Sequence, residues 1–98
     1  MSNPLSESDI QLALSGLTGW EHETDGISKT FEWPNFRVAM SFLVEVGFAA
    51  EELNHHPEIY NVYNRVRLCL STHDAGGQVT ERDILLAGKI ESICTESR

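Results

Sequence analysis

The strongest constraint on this chain is a repeated change of hydrophobic period. From Ile27 to Trp33, the apolar residues Ile27, Phe31 and Trp33 alternate with Ser28, Thr30 and Glu32. A period of two marks a strand with one buried face. Lys29 falls on the apolar side, near an end where its stem can snorkel to water. Asp25-Gly26 is a strong hairpin signal, and Trp20-Glu21-His22-Glu23 before it supplies a weakly alternating partner strand. Beyond Pro34-Asn35 the period lengthens. Phe36, Ala39, Met40, Leu43, Val46, Ala50 and Leu53 recur at helical spacing and make one face of a long helix.

The period then returns to two. Val66, Leu68 and Leu70 alternate with Arg67, Cys69 and Ser71, which predicts a second hairpin over Glu58 to Thr72 with its turn near Asn61–Arg65. A helix stands at each end of the chain. Ser6-Glu7-Ser8-Asp9 resembles a capping box, followed by Ile10, Ala13, Leu14 and Leu17, with Gly16 and Gly19 as the stop. Thr80 caps the last helix with Asp83 at its third position, and Leu86, Ala87, Ile90, Ile93 and Cys94 form the inner stripe. The expected fold is α+β: a four-stranded antiparallel sheet with three helices packed on one face, in the order α-β-β-α-β-β-α.

With 98 residues and no linker or repeat, 1–98 is one domain. A domain this small buries only roughly 60–65% of its unfolded surface, so self-association is a natural way to add burial. Val38, Phe42, Val44, Phe48 and Ala49 extend the apolar surface of the middle helix beyond the roughly 100° stripe that a monomeric surface helix needs. That surplus, with the edges of a four-stranded sheet, predicts a homodimer or homotetramer.

Fifteen Asp and Glu against seven Lys and Arg leave a formal charge of −8. A nucleic-acid backbone or an anionic membrane needs clustered positive charge, so neither is an expected partner. Cys69 and Cys94 lie far apart in apolar runs and read as reduced core thiols. Met1 to Gln11 has no signal-peptide pattern and no apolar run reaches membrane-spanning length, so a cytoplasmic location is expected.

Three of the four histidines lie in two polar stretches that bracket the second hairpin: Asn54-His55-His56-Pro57 and Ser71-Thr72-His73-Asp74. A hairpin returns the chain to its starting edge, so His73 can approach His55 and His56 in a shared site. Two other readings stay open, solvated loop histidines and a metal site, although no cysteine or carboxylate completes a familiar ligand spacing. His22 lies alone in the first strand and reads as structural or solvated.

The run Glu51-Glu52-Leu53-Asn54-His55-His56-Pro57-Glu58, then Tyr60-Asn61-Val62-Tyr63-Asn64-Arg65-Val66, Leu70-Ser71-Thr72-His73-Asp74 and Thr80-Glu81-Arg82-Asp83, resembles the signature of the pterin-4a-carbinolamine dehydratases. Gly19-Trp20 and the Phe31–Phe42 passage also fit, and the family fold is the arrangement read above. The resemblance implies a hydro-lyase that dehydrates 4a-hydroxytetrahydropterin to quinonoid dihydropterin in tetrahydrobiopterin-type recycling. It implies a small-molecule pterin substrate, and neither metal nor organic cofactor. By the same resemblance His55, His56 and His73 are the catalytic histidines, and Glu51, Asn54, Ser71, Thr72 and Asp74 surround the pterin. Asn54 occupies a position that is often Asp in the family. Trp20 is expected in the core, and Asp83 is expected to act as a cap and dipole partner without catalysis. Relatives in animals also serve as dimerisation cofactors for a homeodomain transcription factor. An interaction protein, or a pterin-binding homologue in another pterin pathway, is the alternative.

Overall fold

Helix starts along this chain are set by side chains that accept the first backbone N–H groups, which have no partner within the helix. Ser6 Oγ accepts from Asp9 N–H at 3.1 Å to open α1 (Glu7–Leu14). Asn35 Oδ1 accepts from Val38 N–H at 2.9 Å to open α2 (Phe36–Leu53). Thr80 opens α3 (Glu81–Ser97) reciprocally: its hydroxyl accepts from Arg82 N–H at 3.2 Å, while its own N–H donates to the Asp83 carboxylate at 2.9 Å. The computed structural model of the chain describes residues 3–24 and 26–97, the last two by backbone alone.

Between the helices lie β1 (Glu21–Glu23), β2 (Gly26–Glu32), β3 (Glu58–Val62) and β4 (Arg65–Leu70), all antiparallel in the order β1-β2-β4-β3. The central register pairs Ile27 with Leu70, Lys29 with Leu68 and Phe31 with Val66. Every inward residue of β2 therefore meets an inward residue of β4. Ile10 and Leu14 from α1, Ala39, Phe42 and Val46 from α2, and Leu86, Ala87 and Ile90 from α3 close over that one face. The expected architecture is the observed one. Among the described residues no helix is long and apolar enough to cross a membrane.

Gly26 opens β2 rather than sitting in the turn, with Glu23 as its partner; Asp25 lies outside the described residues. At φ +142° a side chain on Gly26 would collide with the Leu70 carbonyl, so only glycine lets the hairpin lie this close to β4. The second hairpin turns through Tyr63-Asn64, with Tyr63 at φ 52°. Asn64 donates from its side chain to Trp33 O at 2.8 Å, and its own carbonyl accepts from Trp33 N–H at 2.9 Å, which pins the turn to the end of β2.

Three details differ from expectation. First, α1 ends at Leu14; Leu17 N–H bonds to Leu14 O in a tighter turn, and Leu17 still packs on the core. Second, Lys29 is only part-exposed and its ammonium is held by partners. Its Nζ lies 2.7 Å from Glu91 and 2.8 Å from Thr18 O, over the Phe31 ring, and Trp20 Nε1 shares the same Glu91 oxygen at 2.8 Å. Third, the inner face of α2 is rotated. Phe42 is fully buried against Phe31 and Trp33, whereas Phe36, Val44 and Phe48 are exposed. Phe42 belongs to the core and not to the apolar surplus.

This rotation sets an expected stability difference. Phe42→Ala should lower unfolding stability by about 3–5 kcal/mol, while Phe48→Ser should change the stability of the monomer by less than about 0.5 kcal/mol. Urea unfolding of both variants beside the parent checks the assignment; equal losses would place Phe42 outside the core.

Candidate active site

The end of α2 turns sharply because Asn54 adopts a left-handed conformation, φ 51°, which asparagine tolerates better than most residues. Asn54 N–H then bonds to Glu51 O at 3.1 Å and His55 N–H reaches back to Ala50 O at 3.0 Å. These are the two bonds of a Schellman motif. Pro57 follows and starts the chain toward β3. His55 is thereby folded inward, 7% exposed, while His56 points outward and is exposed. The adjacent histidines diverge.

On the other side, β4 ends at Leu70 and the chain passes through Ser71 and Thr72 into a single 3-10 turn, His73–Ala75. Thr72 is fully buried and His73 exposed. An isolated bridge from Thr72 to Gln78 closes this loop, with Thr72 N–H donating to Gln78 O at 3.0 Å. Both loops and the start of α3 meet at an open cavity of about 420 Å³ lined by Asn54, His55, His56, Ser71, His73, Asp74 and Arg82. That volume lies within the roughly 300–1,000 Å³ of small-molecule sites, and every lining side chain is polar.

Six of the eight expected site residues thus share one cavity: His55, His56, His73, Asn54, Ser71 and Asp74. Glu51 and Thr72 do not line it. Glu51 stands outside on an exposed helix turn, where Oε1 meets His56 Nε2 at 2.9 Å. Thr72 turns its hydroxyl inward, 2.9 Å from Asp83 Oδ2 and 2.7 Å from Thr80 Oγ1. His22 lies elsewhere, half-buried and 3.0 Å from Glu7. Trp20 is in the core.

Two residues at the site were not assigned to it from the sequence. Asp83 is fully buried, with Oδ1 2.6 Å from His55 Nε2 and Oδ2 receiving Thr72 Oγ1 and Thr80 N–H, each at 2.9 Å. Its capping role is real, yet only one of its three hydrogen bonds serves the cap. Arg82 lines the cavity and donates from Nη2 to Asn54 O at 2.8 Å, which joins the end of α2 to the start of α3. A cation in the first turn of a helix opposes the helix dipole, and that mismatch was the available signal. Among the described residues no three of His, Cys, Asp and Glu are grouped as a metal would require.

The site geometry can be set beside known proteins. A family model described as Pterin 4 alpha carbinolamine dehydratase matches residues 3–93. The chain belongs to this family. A relative from Opitutus terrae, named "Putative pterin-4-alpha-carbinolamine dehydratase", is 52% identical over 95% of this chain and 96% of its own. One of the same name from Thermomicrobium roseum is 45% identical over 93% of this chain and 97% of its own. Among solved structures, a transcriptional coactivator/pterin dehydratase from Brucella melitensis superposes with a TM-score of 0.88 at 40% identity, covering 93% of this chain and 98% of that one. This agrees with the family resemblance read from the histidine-bearing segments.

The pair outside the cavity has a pH consequence of its own. A hydrogen bond from Gln11 and then one from His22 hold the exposed Glu7 carboxyl below its usual 4.5. A carboxyl depressed by folding adds stability above its unfolded pKa, and this is lost as pH falls through the folded value. Glu7→Gln should therefore reduce the drop in thermal midpoint between about pH 6 and about pH 3. An unchanged drop in thermal scans would contradict the depressed value.

Proposed function

We propose that this protein dehydrates 4a-hydroxytetrahydropterin to quinonoid dihydropterin, with His55 and His73 moving the protons and His56 orienting the pterin. In this reaction the N5 proton leaves, the C4a hydroxyl is protonated, the C4a–O bond breaks as the C4a–N5 double bond forms, and water departs. The observation that carries the reading is the convergence of all three histidines on one cavity in a chain of this family. Imidazole, with an ordinary pKa near 6.5, can both take and give a proton at neutral pH.

The polar wall suits the substrate. Reduced pterin offers ring N–H groups, a carbonyl and an amine, and Asn54, Ser71, Asp74 and Arg82 provide complementary donors and acceptors. Glu51 contributes by holding His56 from outside, and Thr72 by its contact with Asp83. No metal or organic cofactor has a step in this scheme. The reaction also proceeds without a catalyst, and positioned acid–base groups supply about 10²–10⁴-fold each.

The decisive assay mixes freshly generated carbinolamine rapidly with and without the protein. His55 is buried against Asp83, so glutamine, which keeps a donor, is a safer replacement than alanine. His55→Gln and His73→Ala should each lower kcat about tenfold or more, and the double variant should approach the uncatalysed rate. His56→Ala should raise KM more than it lowers kcat, as loss of uniform binding does. Near-parent turnover in a folded double variant, judged by circular dichroism, would overturn the acid–base reading.

Assembly is a second part of the proposal, favoured by one observation. Val44 and Phe48, one turn apart on α2, are exposed by 57% and 70%, an unusual apolar pair for a solvated helix face. A homodimer or homotetramer through this face is the expected state, and a sheet edge is the other available contact. A monomer in sedimentation at micromolar concentration would refute it. A catalytically silent protein that still assembles would favour the interaction role suggested by the coactivator part of the Brucella protein's name.

A further inference from the structure

Thr72 and Thr80 have hydrogens whose positions follow from the contacts around them. Thr72 Oγ1 lies 2.9 Å from Asp83 Oδ2 and 2.7 Å from Thr80 Oγ1, and all three residues are fully buried. A threonine hydroxyl has one proton, and a carboxylate only accepts. The Thr72 proton must therefore point at Asp83, and the Thr80 proton at Thr72. Thr80 Oγ1 still accepts from Arg82 N–H at 3.2 Å, so its oxygen is used in both senses. The direction of the chain is fixed: Thr80 donates to Thr72, and Thr72 donates to Asp83.

Asp83 also receives Thr80 N–H at Oδ2, which leaves Oδ1 for His55 Nε2 at 2.6 Å. Both donors at Oδ2 suit a carboxylate, and with Asp83 ionised Oδ1 can only accept, so His55 places its hydrogen on Nε2. Neutral His55 then presents a lone pair at Nδ1. We infer that the buried Thr80–Thr72–Asp83 relay is a positioning device that holds His55 in the Nε2–H form, making Nδ1 the atom that accepts the substrate proton and Thr72 a positioning residue for catalysis. This rests on the proposed dehydration for its catalytic half. The tautomer half stands on the contact geometry and an ionised Asp83.

The relay also says why a threonine should occupy this place. Serine supplies the same proton from the same position, whereas valine keeps the shape and removes it. Without the Thr72 proton, Asp83 Oδ2 retains only the Thr80 N–H, and the Thr80 hydroxyl becomes free to turn toward Asp83 or away. The carboxylate is then held less firmly, and the orientation of the imidazole with it.

Nitrogen-15 NMR of protein labelled at histidine reads the His55 tautomer directly, and rapid-mixing kinetics read its use. In the parent, His55 should show the Nε2–H form when neutral. Thr72→Val should mix the two tautomers and lower kcat about tenfold with a smaller change in KM, and Thr72→Ser should restore both readings. A parent His55 in the Nδ1–H form would overturn the relay whatever the variants do, as would Thr72→Val with an unmixed tautomer and parent kcat. Should Thr72→Val fail to fold, Thr72→Ala removes the same proton, with the same two readings expected. A parent that shows the Nε2–H form without accelerating dehydration would refute the proposed reaction and leave the positioning of His55 standing.

Discussion

One buried carboxylate joins the three segments on which the site depends. Asp83 is held at the start of α3 by Thr80, meets the end of β4 through Thr72, and meets the turn after α2 through His55. A charge taken out of water is costly unless its acceptors are filled, and a buried charge that loses its partner is strongly destabilising. Here three donors fill it. The segments therefore cannot drift apart without exposing an unsatisfied carboxylate, and the cavity between them keeps its shape.

Sheet geometry brings those segments together in the first place. β3 and β4 are joined by a tight turn at Tyr63-Asn64, so the residues before β3 and after β4 emerge at one end of the sheet. β2 lies beside β4 with Ile27 opposite Leu70, and the α3 residues Leu86, Ala87 and Ile90 pack on that same inner face. Packing of α3 against β4 and α2 thus delivers its first turn, with Arg82 and Asp83, to the open end of the hairpin. The site is a consequence of topology, and the side chains refine it.

The fold was legible because period and caps are local properties. Ile27 to Trp33, apart from Lys29, and Val66 to Ser71 alternate, and Ser6, Asn35 and Thr80 each cap the helix they precede. What was not legible is the rotation of α2. Its sequence is apolar nearly all round, so several stripes fit the helical period, and only contact with Phe31 and Trp33 selects Phe42 over Phe36. The histidines were legible as a group, since the hairpin between them is itself a sequence feature. Their environments were not: His55 and His56 are neighbours in the chain, but the left-handed turn at Asn54 sends one inward and the other outward. Asp83 looked complete as a helix cap, and the local explanation concealed its distant partners.

The cavity wall sets the terms on which a ligand can be held. With no apolar side chain and no Phe, Tyr or Trp lining it, affinity has to come largely from hydrogen bonds, and each of these contributes most when its partner is already in place. Rigid presentation then matters more than the number of polar groups. Arg82 bonds to Asn54 O, Glu51 braces His56, and Asp83 braces His55. Asn54 illustrates the compromise. Its backbone must be left-handed and its carbonyl must serve Arg82, so the conformation of this residue is determined before any ligand arrives. An aspartate there would add a negative charge to a wall that already holds Asp74; asparagine keeps the turn while leaving that wall less acidic.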